Sequence, residues 1–461
     1  MGAKDRWTPD EQRPRSESAA VFISGLGDDT LVEPGRTSTI AALASRNFRL
    51  FWVGLLVSSI GMWMQMFGQG YLVVQLAVRD GVPHFAPLYL GLVGLSRAIP
   101  GLTFGLFGGV VADRSDRRQL LLTTQIAASV IAGTLAILTI TERINIVEVL
   151  LLGALNSMVH SFEAPTRQSM VPALVPRRHL SSAVGLSAAA FNGAQFIGPL
   201  LGGLLYIPLG VGGLFAVNAV SYLAIVAALL RMDLPPVARA RRQSVMRSIR
   251  EGLHYIRRDP VVRWVVILTA GSATLARPYP QLLPAITQQV LLVGAVELSW
   301  LMAASGAGAL AGALATASLG NLKRRGLVVI ASAGALGLLL AAFAVQRTLL
   351  GALPILILVG FSAMLFMGMA NTLLQLRTPD HLRGRVMSVQ TMMMMGIVPL
   401  GVMAMGSVGT FLGVDVSMFA GGVLLVVLAS YAGVRSVALR RATGGPGSQR
   451  PGEYEMAKIG G

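Results

Sequence analysis

Long apolar runs fill most of this chain, and short polar segments punctuate them. Twelve such runs fall at 50–78, 88–111, 119–140, 147–165, 183–207, 212–230, 262–290, 297–320, 327–346, 350–373, 386–409 and 414–434. About 20 apolar residues, rising ~1.5 Å each, are enough to cross a bilayer's hydrocarbon core. The pattern predicts an all-α polytopic membrane protein. Its twelve transmembrane helices are expected as two pseudo-symmetric six-helix bundles, at 46–232 and 261–439. Residues 1–45 are polar, with no apolar core for a signal peptide, and are expected to be a disordered cytoplasmic tail; 440–461 are expected to be a polar cytoplasmic tail. The one long internal interruption, 233–260, is a linker. Within it, Val245, Ile249, Leu253 and Ile256 share a helical face among arginines. That spacing predicts an amphipathic helix, lying either along the inner leaflet or free in water.

Composition agrees. The hydrophobic fraction is 54% and the mean hydropathy is +0.65, too apolar for a soluble globule of 461 residues. There is no cysteine, hence no disulfide and no thiolate metal site. A net charge of +17 raises the question of nucleic acid, but the placement of the charge argues against it. Of 38 Lys and Arg, only Arg79, Arg143 and Arg347 fall in the alternate loops, and only Arg97 and Arg277 deep within runs, Arg263 standing at the very start of one. The positive-inside rule then puts both termini in the cytoplasm. The excess of charge becomes a cytoplasmic bias with some attraction to anionic lipid. Arginine far outnumbers lysine, as in GC-rich genomes.

The halves echo each other. Gly101 and Gly105 align with Gly308 and Gly312, and Asp116-Arg117-Arg118 with Lys323-Arg324-Arg325. His179-Leu180 aligns with His381-Leu382, each just before a span. Gly320 stands where Asp113 would repeat. Internal repeats of this kind are a transporter feature.

Chemistry concentrates in a few residues. Arg97 and Arg277 lie deep in apolar runs, where an unpartnered arginine costs at least ~2.5–3.5 kcal/mol. Either they face a water-lined cavity that favours anions, or they pair with Glu148, Glu297 or Asp415 near the outer span ends. Gln65 and Gln69 share one helical face, as do Asn156 and His160; Asn192, Gln195 and Asn371 are further uncharged polar groups in spans. Such groups bridge helices or line a cavity. His160 and Glu163, three residues apart, are the candidates for carrying a proton. Gly101, Gly105 and Gly109 form a stripe that admits close helix approach and leads to the acid and arginines of GVVADRSDRR. Met387, Met392–Met395, Met403 and Met405 give the eleventh run an adaptable thioether surface that packs or contacts varied ligands. No P-loop occurs, the GAGALA at 306–311 follows no strand, and the five histidines are scattered. No cofactor, metal or catalytic group is expected.

The 109–118 segment resembles the loop signature G-x-x-x-D-R-x-G-R-R of the major facilitator superfamily at Gly109, Asp113, Arg114, Arg117 and Arg118. Asp116 stands where glycine is usual. The blocks at 46–73, 163–176 (EAPTRQSMVPALVP), 277–284 (RPYPQLLP) and 378–390 are similar to the subgroup containing the enterobactin exporter and macrolide-type efflux proteins. GPLLGG at 198–203 resembles part of the drug–proton antiporter motif, with Gly198, Pro199, Gly202 and Gly203 as a helix-bend element. The resemblance implies that Gly109, Asp113, Arg114, Arg117, Arg118 and Glu163 form a conformational latch, with Glu163 facing the loop arginines. It also favours Gln65, Gln69, Asn156 and Asn371 as cavity residues, because the first, fourth, seventh and tenth spans line the cavity in the family. The implied function is export of small molecules, siderophore-like, anionic or hydrophobic and drug-like. The implied setting is a bacterial cytoplasmic membrane, with the bilayer and a coupled proton as partners and a monomer as the working unit. A cationic multidrug–proton antiporter, or a transporter-shaped sensor without flux, is the alternative.

Overall fold

The computed structural model describes residues 40–232, 245–319, 322 and 324–442, without the side chains of 106–114 and 245–249. Gly109, Asp113 and Arg114 of the expected latch therefore lie outside the described side chains, as do Val245 and Ile249 of the linker face. Both tails lie outside the described residues, apart from a few positions at their inner edges.

The described chain is helical, with no β-strand. Before the linker come α1 (Arg46–Arg79), α2 (Ala86–Arg114), α3 (Arg117–Ile140), α4 (Ile146–Leu174) and α5 (Leu180–Leu230). After α6 (Val245–Arg258) come α7 (Pro260–Leu275), α8 (Tyr279–Gln289), α9 (Ala295–Ser318) and α10 (Arg325–Ala344). The chain closes with α11 (Leu349–Arg377), α12 (Asp380–Leu412), α13 (Val414–Arg435) and α14 (Val437–Arg440). By length and composition, 10 helices can cross a membrane.

The difference from twelve runs has a simple cause. Runs five and six fuse into the 51-residue α5, which at ~1.5 Å per residue is more than twice the thickness of a hydrocarbon core. Its chain reverses at Gly210, with φ 63° and ψ −176°, which only glycine adopts freely. Run seven splits instead. α7 and α8 meet at Ala276–Pro278, where Pro278 and Pro280 withhold amide hydrogens and the helix cannot continue.

Caps set other boundaries. Asn145 and Glu148 form a reciprocal capping box at the start of α4, the two bonds measuring 3.1 and 2.9 Å. Asp259 accepts from the amides of Val261 and Val262, ahead of Pro260 in the first turn of α7. Asp116 accepts from the amides of Arg118 (2.8 Å) and Gln119 (3.0 Å), so it caps α3. Its φ of −63° needs no glycine, which explains how the loop tolerates the departure from the family signature.

Small residues let helices touch. Backbone atoms of Ile357 crowd Gly308, and those of Ser305 crowd Gly360, so α9 and α11 pack backbone to backbone. The expected glycine stripe of α2 serves this purpose only in part. Gly101 meets Ser157 Oγ, 3.2 Å from where a Cβ would stand, but Gly105 has no neighbour within 4 Å.

The linker helix α6 packs on α12. Gly252 presses on the Arg385 carbonyl, Glu251 pairs with Arg385, and the Tyr255 hydroxyl donates to the Arg377 carbonyl at 3.0 Å. Ile256 is buried while Leu253 is exposed. By helical spacing Gly252 and Ile256 share the side of α6 that docks, and Leu253 lies at its edge.

The two halves meet through α2 against α12 and α5 against α9. Gly91 sits on Met403, Gly406 on Pro87, Gly70 on Pro284 and Gly203 on Ser299. These contacts lie in the part of the bundle farthest from the termini. Toward the termini, Leu102 against Gly396 is the last such glycine contact of α2 with α12.

Candidate functional site

Polar side chains of the amino-terminal half converge at mid-span. Gln65 and Gln69, one turn apart on α1, take different partners. Gln65 Oε1 accepts from Asn218 of α5 at 2.5 Å, and Gln69 Oε1 accepts from the Arg97 guanidinium of α2. Arg97 passes over Gly153 of α4, where a Cβ would lie 3.5 Å from Arg97 Nε. Ser157, one turn further on α4, donates to the Arg97 carbonyl at 2.6 Å. The missing side chain at 153 thus makes room for an arginine that Ser157 and Gln69 hold in place.

A cavity of about 200 Å³ opens beside this group. Its walls are Met62, Trp63, Gln65 and Met66 of α1, Arg97 of α2, Asn156, Ser157 and His160 of α4, and Tyr222 of α5. A hollow of about 30 Å³ lies between the halves, bounded by Gln69, Arg97, Gln281, Pro284 and Met302 among others. Arg97 and Met66 belong to both linings. Arg97 therefore stands on the partition between the cavity and the inter-half interface.

Among the described residues no carboxylate lies within 4 Å of Arg97. The three acids that sequence offers as partners are occupied elsewhere. Glu148 caps α4, Glu297 accepts from the Gly294 amide at the start of α9 (3.0 Å), and Asp415 pairs with Arg347 at 2.8 Å. Three residues that line the cavity each carry a nitrogen that is buried and lacks a hydrogen-bond partner: Arg97 Nε, Trp63 Nε1 and His160 Nε2.

His160 and Glu163 do meet, Nδ1 to Oε2 at 2.5 Å. Glu163 is buried and also lies 3.7 Å from Arg167, one turn on along α4. The imidazole thus has one nitrogen on the acid and the other buried without a partner.

Other expected residues sit elsewhere. Arg277 lies at the joint of α7 and α8, its amide donating to the Ser272 carbonyl at 2.8 Å, and it lines neither hollow. Asn371 accepts from Gln390 at 2.6 Å, bridging α11 and α12 in the other half. The latch arginines bind carbonyls of their own half. Arg117 donates to Ser169 and Arg118 to Leu230, both at 3.0 Å. Glu163 takes His160 and Arg167, so the anticipated Arg117–Glu163 pair is not formed. Leu230 is the last residue of α5, where unpaired carbonyls attract guanidinium groups, whereas Ser169 lies inside α4.

Gly198 and Gly202 receive Trp63 and Phe67 of α1, and Gly203 receives Ser299 of α9. Within α5 only Gly210 has non-helical backbone angles, so the 198–203 segment acts here as a packing surface rather than a break. Of the methionines, Met393 packs against the core of the carboxy-terminal half and Met405 is buried, whereas Met395 is half-exposed.

Several site residues escaped sequence reasoning. Trp63, Ser157 and Tyr222 looked like ordinary span residues. Asn218 and Tyr222 are four apart on run six, and Arg167 follows Glu163 by four. Those spacings were legible, but nothing in them says which helix they face.

The comparisons agree with this architecture. The profile of a family described as transmembrane secretion effectors matches residues 37–443. The enterobactin exporter of Shigella boydii serotype 4 is 26% identical over 353 residues, covering 76% of this chain and 84% of that protein. An uncharacterized major facilitator-type transporter of Bacillus subtilis is 26% identical over 404 residues, 81% of this chain and 89% of its own. Among solved structures, a D-xylose–proton symporter superposes with a TM-score of 0.66 at 14% identity, covering 88% of this chain and 100% of that one. A bacterial homologue of the human lysosomal transporter Spinster, in an inward-facing and unoccupied conformation, gives 0.64 at 14%, with 85% and 97% covered. The chain belongs to the transmembrane secretion effector family of major facilitator superfamily transporters.

Proposed function

We propose that this transporter exports small molecules across a bacterial cytoplasmic membrane by alternating access. In this reading all twelve apolar runs cross the bilayer, with α5 crossing twice and α7–α8 once, and both termini are cytoplasmic. The halves touch at the end away from the termini, so the state described is the one open to the cytoplasm. Acidic cargo, including siderophore-like acids, is the preferred class. The observation that carries this preference is Arg97, charged, at mid-span, on a cavity wall and without a carboxylate within 4 Å among the described residues. Similarity to the enterobactin exporters supports the export direction. The proton gradient is the coupled force, with His160 and Glu163 as the titrating pair, and antiport is the form expected from sequence. The protein works as a monomer.

The test is efflux from proteoliposomes loaded with benzoate, an uncharged analogue (benzyl alcohol) or ethidium. Preferential, protein-dependent efflux of the acid supports the reading. Preferential efflux of ethidium supports cationic multidrug export instead, and no flux under any gradient leaves a sensor or assembly role.

A further inference from the structure

The walls of the cavity beside Arg97 all belong to one half. Every side chain that lines it stands on α1, α2, α4 or α5. The same helices brace one another around it: Gln65 holds Asn218, Gln69 holds Arg97, and Ser157 holds the Arg97 carbonyl. The glycine contacts that join the halves, and the hydrogen bond from Gln289 to Pro83, use none of the wall residues. Between the halves there is the small hollow of about 30 Å³, which Met66 and Arg97 also border. The carboxy-terminal half keeps polar groups of its spans paired with each other, Tyr279 with Ser305 at 2.5 Å and Asn371 with Gln390 at 2.6 Å.

We propose that the cargo is held by the amino-terminal half alone and rides with it, so that binding itself does not drive the switch between the two open states. The inference deepens the export reading and rests on it. A ligand shifts a two-state equilibrium only through a difference in its affinity for the two states. Contacts made inside one braced body are the same in both states and on the way between them. Cargo therefore binds equally well whichever side is open, and the empty carrier turns over as fast as the loaded one. Net direction is left to the cargo's own gradient and the coupled force, and the carboxy-terminal half serves as the moving wall. The cavity also limits size. At about 200 Å³ it is smaller than the ~300–1,000 Å³ pockets that take drug-sized ligands, so it suits a compound of one ring. Trp63, Tyr222 and two methionines give that ring an apolar wall, and Arg97 supplies the charge.

The test uses the full chain and benzoate as the probe. Proteoliposomes at the same pH inside and out are loaded with labelled benzoate at a saturating concentration. Unlabelled benzoate outside should leave the efflux rate unchanged within about twofold, because loaded and empty carriers return alike. A several-fold acceleration overturns the proposal. The chain has no cysteine, so Pro83→Cys with Gln289→Cys puts two spin labels on the rim and nowhere else. In nanodiscs their separation distinguishes rim-closed from rim-open molecules, and saturating benzoate should leave the ratio of the two unchanged. A ratio that moves with benzoate shows contacts from the other half and overturns the proposal, as does no benzoate binding at all. If the doubly substituted chain misfolds, the efflux comparison decides alone. The same measurements separate this inference from the export reading. Benzoate bound at an unchanged rim ratio, with no efflux, overturns export and leaves the one-half site standing. Efflux that external benzoate accelerates overturns the one-half site and leaves export standing.

Discussion

The side-chain amide of Gln289 donates to the carbonyl of Pro83 at 2.8 Å, and among the described residues it is the hydrogen bond that joins the two halves. It sits on the exposed rim at the end away from the termini, beside the glycine contacts that close that end. A neutral hydrogen bond of this kind is worth ~1 kcal/mol, which shifts a two-state equilibrium about fivefold. Gln289→Ala should therefore raise the population open at that end by about that factor. Accessibility of a cysteine introduced at Gln69 to a membrane-impermeant reagent would report it. Unchanged labelling would show that the glycine contacts alone hold the gate.

Arg97 and Arg277 look equivalent in sequence and are not equivalent in structure. Arg97→Gln removes the cation from the cavity wall and should weaken uptake of benzoate into the site at least tenfold. Arg277→Gln acts at the α7–α8 joint and should alter transport rate more than affinity. Equilibrium binding alongside initial efflux rates separates the two outcomes, and equal losses of affinity would place both arginines on the ligand.

Gly308 and Gly105 are both span glycines of the repeat, with opposite surroundings. A side chain at 308 has to displace the backbone of α11, an overpacking cost of ~1–3 kcal/mol or more. Gly308→Val should lower the melting temperature in detergent by several degrees. Gly105→Ala, with no atom within 4 Å, should be neutral or slightly stabilising. Comparable melting shifts in the two variants would contradict the backbone contact.

Asp116 provides a test of the loop. Loss of its cap in Asp116→Ala should cost ~1 kcal/mol, whereas glycine, the usual family residue there, should cost only a few tenths. Thermal unfolding of the two variants in the same detergent gives the comparison. If alanine and glycine are indistinguishable, the cap contributes nothing measurable.

Sequence alone carried the helical class and the three-residue spacing that sets His160 beside Glu163, because apolar run length and helical spacing are local properties. It misjudged matters that depend on which helix lies opposite. Asn371 reads like Asn156 in sequence, yet one bridges two helices and the other lines a cavity. Arg117 has the charge to reach Glu163, but it donates to the Ser169 carbonyl and Glu163 takes Arg167. Gly252 carries no apolar signal, yet it packs against the backbone of Arg385 in α12. The unpartnered nitrogens of Trp63 and His160 could not be read from the chain at all, since lacking a partner is a property of the whole neighbourhood.

The joint at Ala276–Pro278 divides the loyalties of the seventh crossing. α7 packs with α12 and α13 of its own half, whereas α8 reaches across: Pro284 rests on Gly70, Gln281 on Gly94, and Gln289 holds Pro83. α8 also packs on α9 and α13 of its own half, so under the proposed alternating access it is held from both sides. When the rim parts, α8 must either let go of α1 and α2 or swivel at the prolines and stay behind. That makes this short helix the piece whose motion distinguishes a rigid rocker from a bundle with a hinged shutter.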